Sequence, residues 1–319
     1  MNALNSAKQI ARDIALWTYG GPFRACVKMM PLFWVYRLAE GAAFFFFMAI
    51  KDRIEAASKE LCEFAGGPCD ASAVRRIAQK ACRLYVKRQL EDLFASNIDA
   101  AFVQKRVSIR GRAQLNQALK KGKGGIILVS HFGSFRMILP ALAFNGYEVN
   151  QLVGNPELKH HRKVDRFLFD HLVKEYEVLP VKFVRMDLSI RPAFKALKNN
   201  ELVVIAFDGR EGNDWVKVPF LGGTGKLSSG VVRLAAMTGA PLLPTVIVRR
   251  PDDRHEIIID SSFEIAQNSS RQRMIEVNTL RYVKILEKHI RKYPCHFAMT
   301  VKVHQERYEK GIIDVPMLI

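Results

Sequence analysis

Gly124-Gly125-Ile126-Ile127-Leu128-Val129-Ser130-His131-Phe132-Gly133-Ser134 is the stretch that decides the fold. Four consecutive apolar residues sit between a glycine pair and a polar cluster. The run is too short for a buried helix and does not alternate, so it reads as a strand covered on both faces, as strands of parallel sheets are. Working outward, the same unit recurs. Met137 to Phe144 has a helical pattern. Arg191 to Leu197 is helical, Asn199-Asn200 turns, and Leu202 to Phe207 is a second buried strand. Gly230 to Met237 is helical with Gly239 as its C-cap, and Leu242 to Val248 is a third strand. Pro251-Asp252-Asp253 then turns into His255 to Ile259, expected to be an antiparallel neighbour. Upstream, Val107-Ser108-Ile109 reads as a short strand and Gln114 to Leu119 as a helix. Downstream, Met274 to Ile290 reads as a helix and Phe297 to Val303 as a last strand. This alternation predicts an α/β fold, a largely parallel, mixed sheet flanked by helices.

Before residue 105 the composition changes. Val74, Ile77, Ala78, Ala81, Leu84 and Tyr85 fall on one helical face, and Gly66-Gly67-Pro68 separates two helices. Pro31 to Ile50, PLFWVYRLAEGAAFFFFMAI, is the most apolar window of the chain. Arg37 and Glu40 lie near its middle, where a charge at a bilayer centre costs about 2.5–3.5 kcal/mol. Spaced i and i+3, the two are expected to neutralise each other on one face. Cations flank the window at Arg24, Lys28, Lys51 and Arg53. A helix lying in a membrane interface fits this pattern, with a buried core helix as the alternative. The chain thus divides into a helical, membrane-associating region over 1–105 and an α/β domain over 106–319.

The 319 residues carry 49 Lys and Arg against 31 Asp and Glu, a net charge of +18. Such a surface favours anionic partners. The sequence has no helix-turn-helix, zinc-finger or RNP motif, so nucleic acid is not an expected partner and an anionic membrane surface is. Five cysteines form no C-x-x-C pair, which predicts reduced structural thiols and no metal site. The His160-His161 pair reads as solvated. Met1 to Tyr19 has mixed charge and no small-residue cleavage site, so no signal peptide is expected.

Ligands of open α/β sheets bind beyond the carboxyl ends of the strands. Ser130-His131-Phe132-Gly133-Ser134 and Asp208-Gly209-Arg210-Glu211-Gly212 each follow a strand directly, which places His131 and Asp208 on one rim. A histidine there suits general base chemistry, with a hydrogen-bonded structural histidine as the alternative. Val218 to Pro244 is a third cluster. Gly222 and Gly223 permit close backbone approach, Lys226 adds charge, and Ser228-Ser229 stands at a helix N-terminus suited to an anion. P-loop, G-x-G-x-x-G, G-x-S-x-G and H-E-x-x-H patterns are all absent.

Several blocks together resemble bacterial lipid A biosynthesis (late) acyltransferases, of the lysophospholipid acyltransferase superfamily. They are Val107-Ser-Ile-Arg-Gly111, Ala118 to Phe135, Phe207-Asp-Gly-Arg210, Val218-Pro-Phe-Leu-Gly-Gly223 and Val232 to Pro244. The resemblance implies transfer of a fatty acyl chain from an acyl-carrier-protein or CoA thioester to a lipid hydroxyl, at the cytoplasmic face of the inner membrane. Anchoring would be peripheral or through one N-terminal segment. It implies His131 as general base, no metal or redox cofactor, and Arg210, Gly222, Gly223, Lys226, Ser228 and Arg233 as contacts for phosphate or headgroup. Where the family carries Asp or Glu, separated from the histidine by four residues, this chain has Arg136. Asp208 is the expected substitute for orienting the ring, and Arg136 is expected to bind phosphate or carboxylate. The alternative that Arg136 raises is a catalytically silent, lipid-binding relative of the same fold.

Overall fold

Strand β2 (Gly125–Val129) is buried at every position, as its unbroken apolar run requires. It belongs to a sheet with β1 (Val107–Arg110), β3 (Val149–Val153), β4 (Val181–Arg185), β5 (Leu202–Ala206), β8 (Leu242–Arg249) and β9 (His255–Ile259), in the order β1-β9-β8-β2-β5-β3-β4. The remaining strands, β6 (Trp215–Phe220) and β7 (Gly223–Ser228), form a separate antiparallel hairpin. Within the large sheet every pairing is parallel except β8 with β9, so the sheet is mixed as expected. The computed structural model describes residues 12–154, 167, 173–186, 188–209, 214–268 and 270–311. Arg210, the His160-His161 pair and the segment before Arg12 lie outside the described residues.

The helices used below are α1 (Arg24–Met29), α2 (Leu32–Ala65), α3 (Ala71–Leu93), α4 (Ala100–Arg106), α5 (Arg112–Leu119), α6 (Ile138–Ala143), α7 (Arg191–Lys198), α8 (Gly230–Thr238), α9 (Arg271–Lys292) and α10 (Ala298–Glu309). Successive strand residues point to opposite faces, so the sheet builds two cores. Ile126, Leu128, Val203, Ile205 and Leu242 pack with Phe47 and Ile54 of α2, Ala78 of α3 and Tyr282 and Leu286 of α9. Ile127, Val129, Leu202, Val204 and Leu243 pack with Leu115 of α5, Ile138 and Leu142 of α6, Val35 and Ala39 of α2 and Leu90 of α3. The N-terminal helices therefore contribute to both cores. Truncating a fully buried leucine such as Leu128 to alanine should cost about 2–5 kcal/mol.

Helix α2 is long and apolar enough to cross a membrane by length and composition. One of its faces is committed to protein. Val35, Tyr36, Ala39, Ala43 and Phe47 are buried, whereas Phe33, Trp34, Phe44, Phe45 and Met48 are exposed, Phe45 at 73%. The Arg37–Glu40 pair expected from the sequence is replaced by longer-range contacts. Glu40 pairs with Lys87 at 2.6 Å and Arg83 at 3.3 Å on α3, and Arg37 lies over the Phe33 ring. Packing of α3 against α2 supplies two cations that the local spacing does not reveal.

One expected element is wrong. Phe297 to Val303 is not a strand: it enters α10 through a 3-10 turn at Pro294–His296, with the Val301 N–H bonded to the Phe297 carbonyl at 3.2 Å. The misreading has a physical cause. Ala298 through Lys302 are all buried, so the helix starts without a polar face, and its β-branched Thr and Val imitate a strand. The hairpin β6–β7 was not expected from the sequence. Leu221 and Gly222, at φ 53° and 81°, make a two-residue turn with both residues left-handed, as tight hairpins require.

Candidate active site

The site follows from strand register. Val129 pairs with Ala206, and the Phe207 N–H extends that ladder to the Val129 carbonyl at 2.8 Å. Two residues further along each chain stand His131 and Asp208, so parallel pairing sets them side by side. Asp208 accepts twice from His131: its Oδ2 takes the backbone N–H at 2.8 Å and its Oδ1 lies 2.8 Å from Nδ1. The Asp208 side chain is 2% exposed and that of His131 37%. Burial pushes the Asp208 carboxyl up, but the charge of His131 and both hydrogen bonds outweigh it and hold the group below its ordinary value. When the ring is neutral, an ionised acceptor at Nδ1 favours the tautomer that carries its proton on Nδ1, leaving the lone pair on Nε2.

The loop after His131 is clamped from every side. The Thr300 hydroxyl on α10 donates to the His131 carbonyl. Gly133 N–H donates to the His296 carbonyl at 3.0 Å, and the Ser134 hydroxyl to Glu91 at 2.9 Å. Phe132 stacks on the His296 ring at 5.4 Å. Gly133 has φ 59°, and a Cβ there would stand 2.5 Å from the Ile247 carbonyl oxygen, so only glycine fits the turn. His296 accepts the Arg249 backbone N–H at 3.0 Å through Nε2. Burial pushes its pKa down to about 3, which keeps the ring neutral as an acceptor must be.

Behind the loop lies a buried polar network centred on Glu91. Its carboxylate takes the Arg249 guanidinium at 2.5 Å, the Tyr36 hydroxyl at 2.6 Å and the His255 ring at 3.0 Å. Burial alone would raise Glu91, but the Arg249 and His255 charges hold it far below the carboxylate range. A one-sided loss in such a network leaves a buried charge unpaired. The network thereby ties the N-terminal helices to the loop that carries His131.

Arg136 meets a carboxylate, and it is internal. Its guanidinium pairs with Asp92 of α3, which also accepts the Tyr176 hydroxyl at 2.7 Å. Arg136 and Arg88 both lie over the Phe135 ring, at 5.2 and 5.6 Å, and that ring meets His131 edge-on at 4.6 Å. The hairpin residues form a second locality. Gly222 is in the β6–β7 turn, while Gly223, Lys226 and Ser228 lie along β7, with Lys226 opposite Lys217. Ser229 is the N-cap residue of α8, and the Ser228 hydroxyl accepts the Gly230 N–H at 3.4 Å. Arg233 is ion-paired with Asp214. Phe220, Phe297 and Phe132 connect this hairpin to the His131 loop through ring contacts at 6.2 and 6.3 Å.

Sequence reasoning missed His304. It lies on α10, one turn beyond Thr300, and is buried at 7% exposure. Its ring stands 6.3 Å from that of His131, and side-chain atoms of His131, Asp208 and His304 all lie within 4.8 Å of one another. Among the described residues these three are the one group of histidine, cysteine and carboxylate side chains close enough to consider as metal ligands. Both Asp208 oxygens and the His131 Nδ1 are hydrogen-bonded within the pair. The signal for His304 was its i, i+4 spacing from Thr300, visible only once the segment is read as a helix.

The family model described as "Bacterial lipid A biosynthesis acyltransferase" matches residues 8–304. The chain matches none of the curated proteins.

Proposed function

Since the chain belongs to the bacterial lipid A biosynthesis acyltransferase family, we propose that it moves a fatty acyl chain from a carrier-protein or CoA thioester to a lipid hydroxyl, with His131 as general base. The observation that carries this reading is the pair of hydrogen bonds that the Asp208 carboxylate accepts from the backbone N–H and Nδ1 of His131, which leaves Nε2 as the acceptor on the more exposed member of the pair. Nε2 takes the proton of the acceptor hydroxyl as its oxygen bonds to the thioester carbonyl carbon. The tetrahedral intermediate then collapses, the C–S bond breaks, and the thiolate leaves with the proton from the imidazolium. Asp208 stabilises that imidazolium without taking the proton itself. No acyl-enzyme is needed.

Asp208 fills the part of the acid that the family carries where Arg136 stands. This favours a working enzyme over the silent lipid-binding alternative, whose premise is a histidine without an orienting acid. Lys226, Ser228, Gly222 and Gly223 remain the proposed phosphate or headgroup contacts of the hairpin, as does Arg210. Arg136 already holds the buried Asp92 carboxylate and Arg233 the exposed Asp214, so an anionic substrate group would have to share them.

The side proposed is the cytoplasmic face of the inner membrane; the exposed aromatic face of α2 supports attachment to a membrane with the helix lying in the interface. Its other face is packed into both cores, and Tyr36 reaches the Glu91 network. A helix so engaged cannot leave the protein to span a bilayer alone, whereas aromatic side chains beside Arg37 and Lys51 suit a headgroup boundary.

The test combines a thiol-release assay on acyl carrier protein and CoA thioesters, using a total lipid extract as acceptor, with mass spectrometry of the lipids. Acyl transfer abolished by His131→Ala supports the reading. Near wild-type turnover in that variant sinks it.

A further inference from the structure

Arg88 is a half-buried cation on α3 that ion-pairs with none of the described carboxylates. Its neighbours are matched: Arg83 and Lys87 pair with Glu40, Arg136 with Asp92 and Arg249 with Glu91. The acid one turn further along α3, Asp92, already has Arg136 on one oxygen and the Tyr176 hydroxyl on the other. Burial and the Arg136 charge disfavour the Arg88 cation, and the Asp92 charge offsets only part of this. The guanidinium lies between two aromatic rings, 5.0 Å from the centre of Tyr85 and 5.6 Å from that of Phe135. Its Nη1 donates to the Gly133 carbonyl at 3.5 Å. Nε is buried with no partner, while Nη2, also without a hydrogen bond among the described residues, is not closed off from solvent. A cavity of about 10 Å³ beside Arg88, Asp92, Ser134 and Arg136 has room for one water at most, which satisfies a donor but does not balance a charge. An unmet donor on a desolvated cation calls for an anion.

We propose that Arg88 is a substrate-binding residue of this site, holding a phosphate group of a substrate one aromatic ring away from His131. The proposal rests on the acyltransferase reading and assigns an anion contact which that reading lacks. The Phe135 ring is the spacer: Arg88 lies over it, and His131 meets it edge-on at 4.6 Å. The unused Nε–Nη2 edge of Arg88 is a planar fork, which takes two oxygens of a phosphate side by side. The charge of Arg136 is offset by Asp92, so Arg88 supplies the uncompensated positive charge beside the His131 loop. The Gly133 carbonyl and the two rings fix the guanidinium before any ligand arrives, which lowers the entropy lost on binding.

Both substrates of the proposed reaction can carry such a group, the acceptor lipid in its headgroup and the thioester donor at the end of its pantetheine arm. One ring is a short span beside that arm, which favours the headgroup of an acceptor whose hydroxyl is held at Nε2 of His131.

The experiment titrates the full-length wild-type, Arg88→Gln and Arg88→Lys proteins with inorganic pyrophosphate, followed by phosphorus NMR, and records thermal unfolding of each. Arg88→Gln should bind pyrophosphate about 10–100-fold more weakly than wild type, the worth of a hydrogen bond to a charged group. Arg88→Lys, which keeps the charge without the fork, should recover part of that loss. Steady-state thiol release then identifies the source of the phosphate, because Arg88→Gln should raise KM far more than it lowers kcat. A rise confined to the lipid extract assigns the headgroup, and one confined to acyl-CoA assigns the donor. Pyrophosphate affinity and both KM values within about threefold of wild type in Arg88→Gln overturn the proposal. So does a fall in kcat that follows a lowered melting temperature at unchanged KM, which is the signature of a packing role. A wild-type chain that binds pyrophosphate through Arg88 yet releases no thiol sustains the anion site and overturns the acyltransferase reading.

Discussion

The guanidinium of Arg136 and the carboxylate of Asp92 form an ion pair between the loop after β2 and helix α3, 44 positions apart in the chain. Asp92 is buried, and its second oxygen holds the Tyr176 hydroxyl. Arg136 thus closes the loop that begins at His131 onto the N-terminal helices. The residue standing in the family's acidic place has a structural partner of its own.

Replacing Arg136 tests what that pair does. Arg136→Ala leaves Asp92 buried with only a hydroxyl partner, which should lower stability by roughly 1–3 kcal/mol, discounted because the arginine is partly exposed. Arg136→Glu places a second carboxylate against Asp92 and should cost more. Thermal unfolding measures both. If the pair is structural, activity at permissive temperature falls only as far as folding does. A rise in thiol release by Arg136→Glu would show instead that an acid at this position still improves the base.

Asp208→Asn should cost far more in rate than in stability. The amide keeps an acceptor for the backbone N–H of His131 but cannot stabilise an imidazolium, so kcat should drop by about 10²–10⁴-fold. Because the Asp208 carboxyl is held below its ordinary value, its support for the base is complete at neutral pH and disappears only in strong acid. An activity loss seen already between pH 7 and 6 in the wild type therefore belongs to another group, and comparing pH profiles of wild type and Asp208→Asn separates the two.

Much of this site was legible in the sequence because one rule generates it. Strands Ile126–Val129 and Leu202–Phe207 are recognisable from uninterrupted apolar runs, and in-register parallel neighbours put the residues following them together. His131 and Asp208 needed no further information. His304 was hidden by a helix whose first turns are buried all round, so its periodicity carries no polar face to read. The Arg136–Asp92 and Glu40–Lys87 pairs were hidden differently. Each joins segments that only tertiary packing brings together, and local spacing offered Arg37 to Glu40 as the nearer, wrong partner.

His296 makes stability pH-dependent, with a definite sign. Its pKa is depressed to about 3 in the folded protein against 6.5 in the unfolded chain. Below pH 6.5 the unfolded state therefore binds the extra proton, and stability falls as pH drops from 6.5 toward 3. At pH 5 this single group should cost about 2 kcal/mol, from 1.36 kcal/mol per pH unit. Urea unfolding at pH 7, 6 and 5 should show that slope, and His296→Gln should flatten it while lowering stability at pH 7. An unchanged slope in the variant would assign the acid sensitivity elsewhere, with buried His255 next to examine.

The last prediction separates membrane attachment from folding on a single helix. Phe44, Phe45 and Phe47 are near neighbours in α2, yet the first two are 62% and 73% exposed and the third 3%. Phe44→Ser with Phe45→Ser removes apolar area that touches no core, so thermal stability should hold within about 0.5 kcal/mol. Binding to vesicles of anionic phospholipid should weaken by roughly 10-fold or more, since each aromatic side chain is worth about 1.5–3 kcal/mol when buried. Phe47→Ala should do the reverse, destabilising the fold by about 3–5 kcal/mol through the cavity it leaves. Its effect on vesicle binding, measured below the melting temperature, should be small. Flotation of the double serine variant with vesicles at wild-type strength would show that the basic surface alone holds the protein to lipid, and the exposed aromatics of α2 would then need another partner.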